Sequence, residues 1–251
     1  MKAIITDLDR TLLRSDKSIS TYSLDVLKKC KAQGIRLMAA SARPLRDIGQ
    51  YHGLVGFDAV TATNGAVISL QGKKMECFLE RESGEKILAA LLRFPDVFIS
   101  IETSLGLYSN RDIPQWQPVV YDGFPKLPEG AGLYKILVSS REKQLYEEIG
   151  QILTPDAYHT VANGDLIQIM SREATKWRGV QQMLAHFDIE AKDAVYFGDD
   201  QDDLEPIRKC GRGVAVANAI PAVLQAADEI TAGHDEDGVA RYISRHILSE
   251  K

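Results

Sequence analysis

The sequence predicts an α/β protein, a parallel sheet flanked by helices, with an antiparallel α+β module inserted into it. Three observations carry this. Near both ends of the chain, short β-rich apolar runs alternate with helical stretches. Several of those runs stop on polar residues: Asp7, Ser41, Asn64-Gly65 and Gly198-Asp199. In the middle, from about Glu82 to Arg172, paired strands and turns replace the alternation, and hairpins do not belong in a doubly wound parallel sheet.

The elements follow in order. Ala3 to Thr6 is the first strand. A helix comes next, with Ser20 as N-cap, Leu24, Leu27 and Cys30 on one face, and Gly34 at its stop. Ile35 to Ala40 and Ala59 to Thr63 are the second and third strands. The inserted segment reads as a helix at Glu85 to Phe94 and strands at Val97 to Glu102 and Leu107 to Ser109 around a turn at Ser104-Leu105-Gly106. An irregular connection, 112–132, leads to a strand at Tyr134 to Val138 and a helix at Arg141 to Leu153. Ala157 to Val161 and Asp165 to Met170 flank Asn163-Gly164, a strong hairpin signal. Val180, Met183, Leu184 and Phe187 then form a helical stripe before the strand Ala194 to Phe197. Val214 to Val216, a helix opened by Pro221, Ile230-Thr231 and a last helix striped by Val239, Tyr242, Ile243 and His246 complete the chain. These stripes are read as core packing, with His246 half-buried.

The 251 residues suffice for a sizeable core. With 30 Lys+Arg against 35 Asp+Glu, the net charge of −5 argues against nucleic-acid or anionic-membrane binding, which needs a basic face. Cys30, Cys77 and Cys210 are odd in number and far apart, so neither a disulfide framework nor a zinc site is expected. Asp7, Asp9 and Arg10 interrupt any signal-peptide core, and no apolar run is long enough to span a membrane, so a cytoplasmic protein is expected.

The chemistry concentrates at three strand ends: Asp7-Leu8-Asp9-Arg10-Thr11, Ser41-Ala42-Arg43-Pro44 and Gly198-Asp199-Asp200-Gln201-Asp202-Asp203. Open α/β sheets bind ligands at the carboxyl ends of their strands. Brought side by side, these carboxylates would repel by about 4 kcal/mol per pair at ~4 Å and an effective dielectric near 20. Such a cluster needs a cation or shifted pKa values. Oxygen donors without His or Cys select a hard ion, Mg²⁺.

With Asp7-Leu8-Asp9-Arg10-Thr11, Ser41, Thr63-Asn64-Gly65-Ala66, Lys176 and the 198–203 loop in these contexts, the sequence resembles the haloacid dehalogenase superfamily of aspartate-nucleophile phosphatases, and within it the Cof-type branch, subfamily IIB. The likeness spans essentially the whole chain. It implies a Rossmann-like parallel-sheet core at 1–81 and 173–251 and an α/β cap at 82–172 that sets substrate specificity. Departures stand at Arg10, Ala42 and Ala217, where the branch commonly has Gly, and at Asp202, where it commonly has Asn.

The resemblance implies a Mg²⁺-dependent phosphatase acting on small phosphorylated metabolites, sugar phosphates above all, through an aspartyl-phosphate. Asp7 is then the nucleophile and Asp9 the acid/base, both facing one crevice because residues two apart on a strand point the same way. Mg²⁺ is assigned to Asp7, the backbone carbonyl of Asp9 and Asp199. Ser41, backbone N–H groups near Leu8, Asp9 and Ala42, and Lys176 are assigned to the phosphate. Asp203 is expected to orient Lys176 or a metal-bound water, and Asp202 is left between metal ligand and orienting group. Arg43, Asn64 and Asn218 are candidates for substrate contact, with turn-forming roles as the alternative. A helix N-cap is the alternative reading of Ser41. The 103–106 and 162–165 turns are candidate substrate contacts of the cap. A phosphomutase, and more remotely a phospho-accepting signalling domain, are the competing functions; a dehalogenase needs neither Mg²⁺ nor an acid at position 9.

Overall fold

A computed structural model describes residues 1–162 and 165–248. The Asn163-Gly164 turn falls outside the described residues. The chain divides into two compact units, 1–75 with 175–251, and 76–174. The boundaries expected from sequence were 82 and 172.

The first unit is built on an eight-stranded sheet ordered β14-β13-β12-β1-β2-β3-β4-β5. Six adjacent strands, β1 (Ala3–Thr6), β2 (Arg36–Ala40), β3 (Ala59–Ala62), β12 (Ala194–Gly198), β13 (Arg212–Val216) and, at the edge, β14 (Glu229–Thr231), are parallel. β1, β3 and β12 are buried along their whole length, which is why they read as continuous apolar runs. β4 (Val67–Leu70), antiparallel to β3, and β5 (Lys73–Glu76) extend one side.

Helices α1 (Thr21–Ala32), α2 (Leu45–Val55), α5 (Lys176–His186), α6 (Leu204–Lys209), α7 (Pro221–Ala226) and α8 (Gly238–His246) connect these strands. Ser20 caps α1 by accepting the Ser23 N–H at 3.0 Å, and Gly34 turns the chain at φ 78°. Pro221 opens α7. Val239, Tyr242 and Ile243 are buried in α8, and His246 is half-buried and stacked on Tyr242.

The second unit holds a six-stranded sheet ordered β10-β11-β9-β6-β7-β8. The strands are β6 (Phe98–Thr103), β7 (Gly106–Ser109), β8 (Val119–Val120), β9 (Leu133–Ser139), β10 (Ala157–Ala162) and β11 (Leu166–Ser171). All pairings are antiparallel except β7 with β8. The two-residue β8 corrects the expectation that 112–132 is wholly irregular. One sheet face, with Ile99, Ile101, Ile136, Val138, Ile167 and Ile169, packs against Ile87, Leu88 and Leu91 of α3 (Arg81–Leu91) and Leu145 and Ile149 of α4 (Lys143–Ile152).

Candidate active site

β1 lies between β2 and β12 in register, with Thr6 opposite both Ala39 and Phe197. The chain therefore leaves three neighbouring strands at the same edge of the sheet, carrying Asp7, Ser41 and Asp199. The Asp7 N–H donates to the Phe197 carbonyl at 2.9 Å, and the Ser41 N–H to the Thr61 carbonyl at 2.9 Å, so both residues are fixed by the sheet itself. The Leu8 carbonyl accepts the N–H groups of Thr11 and Leu13, at 3.3 and 2.8 Å, closing the turn that follows β1.

Lys176 is the centre of the buried charge. It is the first residue of α5, whose N-cap Thr175 accepts the Arg178 N–H at 3.1 Å. Only 3% of its side chain is exposed. Its ammonium donates to Asp7 Oδ1 at 2.8 Å and to Asp203 Oδ1 at 2.7 Å, and lies 3.3 Å from Asp202 Oδ1. Burial would lower its pKa, but the Asp202, Asp203 and Asp7 carboxylates outweigh burial and hold it well above the usual lysine value.

Asp203 is fully occupied. Its Oδ1 accepts from Lys176 and from the Tyr196 hydroxyl at 2.6 Å, and its Oδ2 from the N–H groups of Asp199 at 3.0 Å and Asp200 at 3.1 Å. Gly198 makes this possible: a Cβ there would sit 2.5 Å from the Asp203 Cβ. Gly65 does similar work at φ 104°, where a Cβ would meet the Thr175 carbonyl oxygen at 2.1 Å. The turn carrying Asn64 thus lies directly on the start of α5.

Asp7, Asp199 and Asp203 each offer a carboxylate oxygen within 4.8 Å of the others, and all three are buried. With Asp203 saturated, Asp7 and Asp199 are the carboxylates left for a cation. Thr11 Oγ1 donates to Asp199 Oδ1 at 2.8 Å, and Arg10 Nε lies 3.5 Å from Asp199 Oδ2. Burial, with Asp203 beside it, pushes Asp199 up to about 7. Burial likewise raises Asp7 well above the usual carboxylate range, despite Lys176, and raises Asp202. Four carboxylates around one buried ammonium, with oxygen donors only, fit a hard divalent cation such as Mg²⁺.

Asp9 sits differently. Its carboxylate takes a fork from Arg43, Nε at 2.5 Å and Nη2 at 2.8 Å, and accepts from Lys17 Nζ at 2.8 Å. Burial acts to raise its pKa, but the hydrogen bonds from Arg43 and Lys17 outweigh that and hold it below its usual value. Its side chain is not part of the metal-sized cluster, which leaves its backbone carbonyl as the group available to a cation.

The remaining candidates have the following partners. Ser41 caps no helix: the N-cap position of α2 is Pro44, and Ser41 Oγ accepts the Arg43 N–H at 3.2 Å. Ala42 is half-buried in the same turn. Asn64 Nδ2 donates to Asp202 Oδ2 at 2.6 Å, which puts Asp202 between Asn64 and Lys176. Asn218 ties two loops together: its Nδ2 donates to the Arg10 carbonyl at 2.8 Å and its Oδ1 accepts the His234 N–H at 2.9 Å. Sequence reasoning gave no role to Tyr196, Thr11 or Lys17. The D-x-D-x-T spacing could have pointed to Thr11; Tyr196 reads as an ordinary core-strand residue and Lys17 as a loop residue.

The chain has recognisable relatives. Residues 4–243 match the family model for haloacid dehalogenase-like hydrolases. YxeH of Bacillus subtilis is 28% identical over 99% of both chains. The 5-amino-6-(5-phospho-D-ribitylamino)uracil phosphatase YbjI of Escherichia coli is 27% identical over all of this chain and 97% of its own. A haloacid dehalogenase-like hydrolase of B. subtilis superposes with a TM-score of 0.87 at 21% identity, covering 99% of this chain and 100% of that one. The subclass IIB sugar phosphatase BT4131 does so with a TM-score of 0.83 at 20% identity, covering 97% and 98%. Among the described residues no helix is long and apolar enough to cross a membrane. The family model spans residues 4–243, nearly the whole chain, and the chain belongs to the haloacid dehalogenase-like hydrolase family.

Proposed function

We propose that the chain is a Mg²⁺-dependent phosphatase that hydrolyses small phosphorylated metabolites, sugar phosphates first, through an aspartyl-phosphate on Asp7. One observation carries the reading: the buried Asp7 carboxylate at the end of β1 is held at 2.8 Å by the buried Lys176 ammonium, within 4.8 Å of carboxylate oxygens of Asp199 and Asp203. Phosphoryl transfer is mostly positioning and charge stabilisation, and the buried, hydrogen-bonded charges of this crevice support both.

Asp7 attacks phosphorus in line, using the oxygen opposite the one tied to Lys176. Lys176, oriented by Asp203, neutralises phosphate oxygens alongside Ser41 and the N–H groups of Leu8 and Ala42. Asp7, Asp199 and the Asp9 carbonyl would hold Mg²⁺, which when bound would supply the remaining positive charge. Asp9 protonates the departing alkoxide and then takes a proton from the incoming water. To do so it must leave the Arg43–Lys17 clamp, because a carboxylate held ionised by two cations is a poor acid. Arg43, released from Asp9, is then available to the phosphate. Asn64 and Asp202 act behind Lys176, and Asn218 holds the loop after β1. Unit 76–174 serves as the cap that reads the organic part of the substrate. The relatives' names, a ribitylamino-uracil phosphate phosphatase and a sugar phosphatase, support sugar and polyol phosphates as the first substrates to test.

The test is release of inorganic phosphate from a panel of phosphorylated metabolites, with Mg²⁺ and with EDTA. Turnover that EDTA stops and Mg²⁺ restores supports the reading. Phosphate release undiminished by EDTA, or release that requires a bisphosphate primer, contradicts it.

A further inference from the structure

We propose that Arg10 is a substrate-binding residue held in reserve: its guanidinium rests on Asp199 until a divalent cation takes that carboxylate, and then turns to the phosphate ester. This rests on the reading above and adds a residue which that reading does not use.

The backbone at position 10 is unusual. Arg10 has φ 58°, a left-handed conformation that favours glycine. A strained backbone persists where the surroundings over-determine it. Here Asn218 does so, pinning the Arg10 carbonyl at 2.8 Å while being held in turn by the His234 N–H. The backbone is therefore fixed, and the side chain is the part free to move.

Its hold on Asp199 is loose. Nε stands 3.5 Å from Asp199 Oδ2 and Nη2 3.4 Å from the Asn218 carbonyl, both long for hydrogen bonds, and 55% of the side chain is exposed. The other Asp199 oxygen is bound tightly by Thr11 at 2.8 Å. The loosely held oxygen is the one a small divalent ion would claim. Asp199 and Asp7 offer oxygens within 4.8 Å of one another, so a guanidinium that touches Asp199 can reach an anion seated at Asp7 without backbone movement. Arg10 then links two events. The cation frees Arg10, Arg10 binds the phosphate, and by linkage the phosphate tightens the cation.

The test is calorimetric titration of the full chain with Mg²⁺, alone and with saturating orthophosphate. For the wild type, orthophosphate is expected to tighten Mg²⁺ binding by about 5-fold or more. For R10G, whose glycine suits the backbone, Mg²⁺ alone is expected to bind about 3-fold tighter than to the wild type, and the orthophosphate effect to shrink below about 2-fold. K17M removes a cation from Asp9 in place of Asp199 and is expected to leave Mg²⁺ affinity within about 2-fold. Arg10 loses this role if R10G binds Mg²⁺ no tighter than the wild type, if its orthophosphate effect persists, or if K17M tightens Mg²⁺ as much as R10G. A wild type that neither binds Mg²⁺ nor releases phosphate would instead remove the catalytic reading, and this inference with it.

Discussion

Asp7 and Asp9 stand two residues apart on the same strand exit, yet their surroundings drive them in opposite directions. Asp7 belongs to a buried floor with Lys176, Asp199, Asp202 and Asp203, where burial raises the pKa values of Asp7, Asp199 and Asp202 and Lys176 is shared by Asp7, Asp202 and Asp203. Asp9 belongs to a half-exposed rim, where Arg43 and Lys17 hold it ionised. The floor is anchored by sheet hydrogen bonds and by backbone N–H groups on Asp203. The rim is anchored by long cationic side chains that can exchange partners. In the proposed mechanism that difference gives a fixed nucleophile and an adjustable acid/base.

The largest effect expected is on the floor. Asp7→Asn should lower kcat by at least about 10³-fold, since the nucleophile itself is gone. Its circular dichroism and Tm should stay close to the wild type. Residual turnover near wild-type level would move the nucleophile elsewhere.

Lys176→Met comes next. It strands the carboxylates of Asp7, Asp202 and Asp203 in a buried site, and breaking such a pair typically costs roughly 3–5 kcal/mol. Denaturant unfolding of the metal-free protein measures it. A loss below about 1 kcal/mol would show the floor to be wetter than its burial indicates.

The pH dependence of the metal-free chain sharpens the contrast. Asp199 is raised to about 7 in the folded protein, and Asp7 and Asp202 are raised with it. A raised carboxylate binds its proton more tightly folded than unfolded. Its contribution is therefore full below about pH 4 and is lost as pH climbs towards about 7. Asp9, depressed when folded, contributes above its unfolded pKa, so its part is already in place across this window. In EDTA, Tm should fall as pH rises from about 5 to about 7.5, and Mg²⁺ should abolish the fall. A Tm that rises over the same range contradicts the assignment.

The smallest effect belongs to the rim. Lys17→Met removes one half-exposed pair and should change stability by less than about 1 kcal/mol. The change should appear in the pH–rate profile, with the acidic limb attributed to Asp9 moving up in pH as a cation is lost. An unmoved limb would separate Asp9 from that ionisation.

Much of this was legible from the chain. The parallel strands declared themselves because full burial leaves unbroken apolar runs, and Asp7, Ser41 and Asp199 stood out as polar residues at the ends of those runs. Where the structure has edges, the signal failed. β5 is Lys-Lys-Met-Glu and exposed at every position, so no alternation marks it. α2 contains Gly49 and Gly53, which weaken its helical signature, although Ile48, Tyr51 and Val55 are buried on one side. Partner choice was hidden as well. Asp203 with Tyr196, and Asp9 with Lys17, meet only because loops and strands fold back on one another, and no local spacing encodes those meetings.

The most direct measurement is acid quench of the wild-type protein during Mg²⁺-dependent turnover, followed by peptide mass spectrometry. The account predicts a phosphoryl group on the peptide containing Asp7, absent without Mg²⁺ and absent in Asp7→Asn. A phosphoryl group on another residue, or steady turnover with none on Asp7 under conditions that preserve acyl phosphates, would contradict it.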